Sequence, residues 1–419
     1  MRQAILRATL SQIIFWLTSP QLAAHCGELF FKLLKRRAST PDGLLPEVRN
    51  VLIVRLDEIG DVVLTTPLFR ELRRNLPTAH ITLVVRPHVA ELMRHCPYVN
   101  EVLAYECDTA HLRWQRFRQH LSAIRFSRKH LWARRYDLAL LPRWDVDQDH
   151  AAFVTYFSGA KWRMGYSETV SEQKQRLNGG LDHLLTHPIN DRAPKHEVER
   201  SLALLHALGG NVSEAQLELW TTAEDEVFAE RTFRQAGIAA TDTLIALCPA
   251  GGTSPLKQWP VSRFVELGCR LQAEHSARLM LVGGSGEESL GAELERGLNA
   301  PALNLIGQTT LRQLAAVLRR CSLYVGNDTG PMHVAAAMDV PVVALFGSSC
   351  RHRFHPWSEN HQVVANELPC SPCIGEPHRD RCVTCIYDEP RCMHELPIAR
   401  VEQTIGLMLS ALQNETVNA

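Results

Sequence analysis

The sequence predicts an α/β protein built from two doubly wound parallel sheets. Short, wholly apolar runs such as residues 51–54 and 244–247 recur along the chain, as expected for strands that are buried on both faces. Amphipathic helical patterns alternate with these runs, which favours parallel strands joined by crossover helices. The alternation is interrupted near residues 185–243 and then restarts, which indicates two domains of similar size.

The predicted elements follow this alternation in order. In the first half they are strands at 51–54, 81–85, 99–105 and 136–141, a helix that begins at Gly60 and ends at Pro77, and an amphipathic helix over 112–135. In the second half they are strands at 244–247, 278–282, 302–306, 323–325 and 340–346. We therefore expect an N-terminal extension at 1–49, domains at 50–215 and 244–396, a linker region at 216–243, and a C-terminal helix at 397–419 that could return to the first domain.

Composition excludes several classes of protein. The 419 residues carry 45 Lys and Arg against 45 Asp and Glu, so a basic nucleic-acid binder and an acidic disordered chain are both disfavoured. No apolar stretch reaches the roughly 18–20 residues of a membrane span. No secretory signal is recognised, so we expect a cytoplasmic protein with reduced cysteines and no nucleic-acid partner.

The extension at 1–49 is basic, with seven Lys and Arg against three Asp and Glu, a net charge of +4. Apolar residues recur beside these charges at helical spacing: Leu6, Leu10, Ile13, Ile14 and Leu17. One interpretation is a helix that lies on the anionic surface of the inner membrane. The other is an extension that packs on the first domain or between subunits.

Chemistry-bearing residues follow four of the predicted strands, where open α/β sheets bind ligands. After the first strand, Asp61 begins a helix behind Gly60; it is either a helix cap or a catalytic carboxylate. After the strand at 244–247, the hydroxyls of Thr253 and Ser254 and the ammonium of Lys257 suit a phosphate. Neither segment has the spacing of a GxGxxG fingerprint or a Walker loop.

The other two motifs are rich in glycine. In residues 282–288, an acid such as Glu287 suits ribose hydroxyls, although two adjacent glutamates also suit a plain helix N-terminus. In residues 326–333, Gly330 begins a helix whose free N–H groups suit phosphate, with Asp328 and Thr329 at the strand end and His333 one turn along. Two facing domains would place all four motifs at a cleft.

Five of the twelve cysteines fall between positions 370 and 392. Cys370 and Cys373 form one CxxC pair, and Cys382 and Cys385 form a second after an eight-residue spacer. Two such pairs suit a closed tetrahedral thiolate site, so we predict structural zinc, with iron as the alternative. Disulfides and free thiols remain open, and the spare candidates are Cys392, His378 and His394.

Residues 328–337 (DTGPMHVAAA) resemble the signature of the bacterial ADP-heptose:lipopolysaccharide heptosyltransferase family, glycosyltransferase family 9. Residues 257–260, 283–287 and 59–62 match the family in the same order, and the resemblance covers about 50–410. It implies a GT-B fold of two Rossmann-like domains, the first mainly for the acceptor and the second for the nucleotide-sugar. It also implies inverting transfer of heptose from ADP-heptose to a lipopolysaccharide-core or other glycan hydroxyl, without a catalytic metal or cofactor.

The resemblance assigns roles to individual residues. Asp61 corresponds to the general base, Thr253 and Lys257 to contacts on the diphosphate side, and Glu287 to a ribose contact, with Glu288 next in register. Asp328, Thr329, Gly330 and His333 correspond to the donor-site signature. The basic extension and the cysteine cluster depart from a minimal member of the family.

Other functions remain open from the sequence. They are a GT-B transferase with another nucleotide-sugar or a protein acceptor, a nucleotide-sugar epimerase of the same shape, and a degenerate transferase kept for assembly. Residues that either line an anionic acceptor site or are solvated loop charges are Arg143, Trp144, Asp145, Lys161, Arg163 and Arg176.

Overall fold

The computed structural model describes residues 19–33, 48–106, 113–252, 254–374 and 384–418. The chain divides into two compact units. The first consists of the described residues up to Glu58, of Pro67–Ala193 and of Val198–Ala215. The second consists of Ile59–Thr66, Pro194–Glu197 and the described residues from Gln216 onward.

The first unit contains a six-stranded parallel sheet. Its strands are β1 (Asn50–Arg55), β2 (His80–Val85), β3 (Glu101–Ala104), β4 (Leu138–Leu141), β5 (Trp162–Tyr166) and β6 (His187–Ile189), in the order β3-β2-β1-β4-β5-β6. Helices along this part of the chain are Pro20–Leu33, Ile59–Val63, Thr66–Asn75, Pro87–Met93, Arg113–Phe126, Ala151–Phe157, Glu172–Asn178 and Glu197–Ala207.

The second unit contains another six-stranded parallel sheet. Its strands are β7 (Leu244–Cys248), β8 (Arg278–Leu281), β9 (Leu303–Asn304), β10 (Leu323–Asn327), β11 (Val342–Phe346) and β12 (His361–Ala365), in the order β12-β11-β10-β7-β8-β9. Its helices are Ala223–Gln235, Val261–Glu274, Glu288–Gly297, Leu311–Leu318, Gly330–Ala337, Arg351–Phe354, Arg391–His394 and Ile398–Asn418.

The two sheets have the same topology when the strands of each are counted from its own first strand. In both, the chain winds outward from the first strand, returns, and winds the other way from the fourth. The crevice for a ligand in such a sheet lies at the carboxyl ends of the first and fourth strands, here β1 with β4 and β7 with β10. The predicted α/β class with parallel sheets is therefore confirmed.

Two segments of uncertain role in the sequence belong to the second unit. The expected linker region, 216–243, contains the helix Ala223–Gln235, which Thr222 and Asp225 close with a reciprocal capping box. The C-terminal helix packs its apolar side into the core of the second unit, to which it is assigned. The residues that it buries are Ile398, Val401, Ile405 and Leu409.

Part of the basic extension packs on the first unit. Within Pro20–Leu33, Ala24 is buried in the core, and the hydroxyl of Tyr156 donates to the Ala24 carbonyl at 2.9 Å. A Cβ at Gly27 would lie within 3 Å of the Tyr156 ring, so glycine is needed there. This contact supports packing on the domain for residues 20–33. The apolar set from Leu6 to Leu17 lies outside the described residues, and membrane binding stays a prediction.

Among the helices that the structure describes, none combines the length and apolar character that crossing a membrane requires.

The helix Pro20–Leu33 offers a test of its docking. Replacement of the buried Ala24 by Glu would bury an unpaired charge, so we expect the helix to detach and limited proteolysis within residues 19–33 to accelerate about tenfold or more. The matched control is His25→Glu, because His25 is exposed on the same helix. Equal cleavage rates in the two variants would contradict the docked arrangement.

Candidate active site

The segments after β7 and β10 meet through an ion pair. The Lys257 ammonium donates to Asp328 Oδ2 at 2.8 Å, and Asp328 is almost fully buried. Burial raises the pKa of the Asp328 carboxyl, but the adjacent Lys257 and His333 more than offset this, so the pKa lies below its ordinary value. Asp328 is thus held as a carboxylate that fixes the ammonium of Lys257 at the strand ends.

Asn327 joins the same two segments and was missed by the sequence analysis. Its side-chain amide donates to the carbonyls of Pro249 and Ala250 at 3.0 Å and accepts from the Trp259 N–H at 3.1 Å. A buried amide at a strand end is the signal that could have indicated this role.

Thr253 lies outside the described residues. Ser254 precedes the short turn Pro255–Lys257, and its carbonyl accepts from the Lys257 N–H at 3.1 Å.

Thr329 and Gly330 form the start of the helix Gly330–Ala337. Thr329 is extended, and Pro331 occupies the first turn, where a missing N–H costs nothing. His333, one turn along, is buried with its Nε2 3.8 Å from Asp328 Oδ1. Burial lowers the pKa of His333 to about 4, so its imidazole is neutral at physiological pH. Its buried Nδ1 has no hydrogen-bond partner among the residues that the structure describes.

The helix Ile59–Val63, which carries Asp61, packs against the helix Gly330–Ala337. A Cβ at Gly60 would lie 2.6 Å from His333 Cδ2, and one at Gly330 would lie 3.1 Å from the Ile59 Cβ. Each glycine therefore makes room for a side chain of the other helix. Asp61, directly after Gly60, is half-buried. The candidate base and the signature histidine thus lie on two helices in direct contact.

In the turn after β8, backbone N–H groups donate to the carboxylates of the two glutamates that follow. Glu287 Oε2 accepts from the Gly284 N–H at 2.6 Å, and Glu288 accepts from the Gly286 N–H at 2.9 Å. Burial raises the pKa of Glu287, and hydrogen bonding lowers that of the exposed Glu288. The two glutamates therefore differ: Glu287 is the half-buried one, beside the glycine backbone that a ribose would approach.

In the first unit, a network of charges lies at the carboxyl ends of β1, β2 and β4. Asp57 pairs with both Arg55 and Arg143, Arg143 pairs also with Asp149, and Arg86 bridges Asp149 to Glu58. The sequence analysis assigned no role to Arg55 or Asp57. Because two guanidiniums hold the buried Asp57, it is poorly placed to accept a proton from a sugar hydroxyl.

The candidate acceptor residues at 143–176 have different environments. Arg163 is buried and donates to the carbonyls of Leu184 and Ala160, and Lys161 pairs with Asp137 at the amino end of β4, so neither faces the carboxyl ends of the strands. Trp144 is buried beneath the Arg200 guanidinium, while Arg176 is exposed. Of this set, Arg143 joins the charge network.

The cysteine cluster lines a cavity of about 380 Å³. Cys370, Cys373 and Cys385 contribute to it together with Cys392, whereas Cys382 and His378 lie outside the described residues. Within the described part of the chain, no three His, Cys, Asp or Glu side chains are arranged to hold a metal ion. The predicted metal site therefore has no support from the described residues, and the four-thiolate set stays a prediction.

A buried histidine, His196, lies in the second unit. His196 stacks on Trp357 with ring centroids 4.5 Å apart, and its Nε2 lies 2.9 Å from the His355 carbonyl. The next residue, Glu197, forms a buried ion pair with Arg353. Burial, with the neighbouring His355, lowers the pKa of His196 to about 3.

The chain is similar in sequence and in fold to known glycosyltransferases. The Escherichia coli lipopolysaccharide heptosyltransferase 2 is 27% identical over 324 residues, which cover 75% of this chain and 87% of that protein. The structure of E. coli ADP-heptose lps heptosyltransferase II has a TM-score of 0.64 at 22% identity and covers 87% of this chain and 99% of its own. The iron-containing dodecameric glycosyltransferase TibC from E. coli shares the fold, with a TM-score of 0.52, 14% identity, and coverage of 90% and 81%.

Two Rossmann-type parallel sheets with these motifs at their strand ends form a GT-B fold, as predicted. The sequence matches the model of one glycosyltransferase family over residues 124–384, more than half of its length. The chain belongs to glycosyltransferase family 9 (heptosyltransferase).

The buried histidines make stability dependent on pH in a known direction. Because the pKa of His196 is about 3 in the folded chain and near 6.5 when unfolded, the unfolded state binds more protons between those values, and stability falls as pH falls through that window. Between pH 7.5 and 4.5 we expect His196→Gln to lose roughly 2–3 kcal/mol less than the wild type in urea unfolding. The control is the exposed His206→Gln. Identical pH slopes for His196→Gln and the wild type would contradict this assignment.

Proposed function

We propose that this chain is an inverting heptosyltransferase that transfers heptose from ADP-heptose to a hydroxyl of the lipopolysaccharide core, with Asp61 as the general base. The contact between Gly60 and His333 carries the proposal, because it places the helix of Asp61 against the helix of the donor signature. The similarity to the E. coli ADP-heptose lipopolysaccharide heptosyltransferase supports the donor and the acceptor class.

The proposed chemistry needs a base on the acceptor hydroxyl. A sugar hydroxyl is a weak nucleophile, so a carboxylate must take its proton as the bond to the anomeric carbon forms. We assign this role to Asp61; two guanidiniums hold Asp57, another carboxylate after β1. Attack from the side opposite the leaving ADP inverts the anomeric centre.

The leaving diphosphate needs compensation for its growing negative charge. Lys257 supplies a positive charge, and the first N–H groups of the helix Gly330–Ala337 supply donors without intrahelical partners. Thr253, Ser254, Thr329 and the neutral His333 complete the proposed donor site, and Glu287 receives the ribose. No step of this mechanism requires a metal or an organic cofactor.

The base assignment is tested with Asp61→Asn, which keeps the shape of the side chain and removes its basicity. We expect transfer from ADP-heptose to a lipopolysaccharide-core acceptor to fall by about 10²–10⁴-fold, while the thermal stabilisation by ADP is unchanged. The matched control is Glu224→Gln, because Glu224 is an exposed carboxylate in the first turn of another helix, Ala223–Gln235. We expect ADP to stabilise the wild type more than UDP or GDP.

Two results would contradict the proposal. Loss of ADP binding in a folded Asp61→Asn variant would show that Asp61 is a donor ligand instead of the base. Conversion of the donor sugar without an acceptor would favour the epimerase alternative.

We also propose that the cysteine segment holds a structural metal ion, zinc or iron, through Cys370, Cys373, Cys382 and Cys385. The convergence of Cys370, Cys373 and Cys385 on one cavity supports this, and Cys392 on the same wall is a spare ligand. Four thiolates would form a closed site with no open position for catalysis.

Metal analysis of the reduced, purified protein tests this site. We expect about one zinc or iron per chain in the wild type and in Cys269→Ser, whose thiol lies elsewhere against the Gly297 carbonyl. Cys373→Ser should lose the metal and unfold at lower temperature. Reduced wild-type protein without stoichiometric metal would remove the proposal.

A further inference from the structure

Lys174 is a buried lysine that the proposed chemistry does not use. It lies in the first turn of Glu172–Asn178, and its side chain is almost fully excluded from solvent. Its ammonium donates to the carbonyls of Trp144 and Tyr166 at 3.0 Å and of Arg143 at 3.3 Å. Three donors thus meet three acceptors, all supplied by the backbone.

These carbonyls lie at the carboxyl ends of two adjacent strands. Arg143 and Trp144 follow β4 within three residues, and Tyr166 is the last residue of β5. The ammonium therefore joins the loop after β4 to the end of β5 on the side of the sheet where an α/β domain binds its ligand.

Among the described residues, no carboxylate lies within ion-pair distance of the Lys174 ammonium. Burial lowers the pKa of Lys174 to about 7, Asp147, Asp145 and Asp182 act to raise it, and Arg143 acts to lower it. Burial of a lysine ammonium without a paired carboxylate has an unfavourable desolvation free energy. The hydrogen bonds to the three carbonyls must therefore offset it.

The loop held by Lys174 carries Arg143 into the charge network. The Arg143 guanidinium pairs with Asp57 and Asp149, and its Nε donates to the Val146 carbonyl at 2.6 Å. With 15% of its side chain exposed, Arg143 lies partly open to solvent at the ends of β1 and β4. The position of Arg143 thus depends on a loop whose backbone carbonyls bind the Lys174 ammonium.

We propose that Lys174 is a positioning residue for acceptor binding: its ammonium holds the loop at Arg143 and Trp144 so that the Arg143 guanidinium is presented at the carboxyl ends of β1 and β4. This inference rests on the proposed function, in which the first domain binds the acceptor. Without the ammonium, the three carbonyls that bind it lose a donor, two of them at buried hydrogen bonds, and the loop must rearrange. The donor site, in the second unit, is unaffected.

The test is a double-mutant cycle on the full chain with Lys174→Met and Arg143→Ala. We expect Lys174→Met to raise the acceptor KM about tenfold, with the Kd for ADP unchanged within twofold. If Lys174 acts through Arg143, the double variant resembles Arg143→Ala alone, and the two effects are not additive. Fully additive effects would overturn the proposal, as would a normal acceptor KM in Lys174→Met.

The matched control is Lys161→Met, because Lys161 pairs with Asp137 at the opposite, amino ends of β4 and β5. It should leave the acceptor KM unchanged. A second variant, Lys174→Gln, keeps two of the three donors and should give a smaller rise in KM. Loss of ADP binding in both Lys174 variants would show a general structural role and overturn the inference. A wild type without heptose transfer would instead refute the proposed function.

Discussion

The ionised, buried carboxylate of Asp328 is the constraint on which the donor-side geometry depends. A buried carboxylate needs a compensating charge, and Lys257 from the loop after β7 supplies it at 2.8 Å. Removal of either partner of a buried pair typically costs about 3–5 kcal/mol, so the loop and the strand end cannot separate cheaply. Asn327 adds three hydrogen bonds between the same segments. The loop that we propose to face the diphosphate is therefore fixed before any ligand arrives, as electrostatic stabilisation of a leaving group requires.

The second constraint is the close packing of two helices, which glycine residues allow. The helix Ile59–Val63 can reach the helix Gly330–Ala337 only because Gly60 and Gly330 carry no Cβ. The ring of His333 fills the space at Gly60, and burial keeps that ring neutral. A neutral ring next to Asp328 and Lys257 adds no charge to the pair, so the positive charge at this edge comes from Lys257 and the helix N-terminus.

The sequence allows the central strands and the donor motifs to be predicted, for a physical reason. β4, β7 and β11 are buried on both faces and wholly apolar, and β1 and β10 are apolar runs that end in Arg55 and Asn327. Other strands carry polar residues: β5 contains Arg163, which is buried because two backbone carbonyls accept its donors, and β6 and β12 are edge strands. Motifs directly after apolar strands were likewise found from the sequence. Asn327, the Asp57 network and Lys174 were not, because their partners are backbone carbonyls and distant charges that no local spacing reveals.

The charged groups at the strand ends differ between the two units. At the ends of β7 and β10, Lys257 is balanced by Asp328 and remains 23% exposed, so its ammonium can still contact an incoming anion. In the first unit, Arg55, Arg86 and Arg143 face Asp57, Asp149 and Glu58, and the network is close to neutral. A neutral network of fixed donors and acceptors favours a hydroxyl-rich ligand over a bare anion, since no unbalanced charge must be compensated on binding. Recognition of such a ligand then depends on the geometry of the network, and that geometry depends on the conformation of the loop after β4. The Lys174 ammonium holds this conformation through its hydrogen bonds to the carbonyls of Arg143 and Trp144.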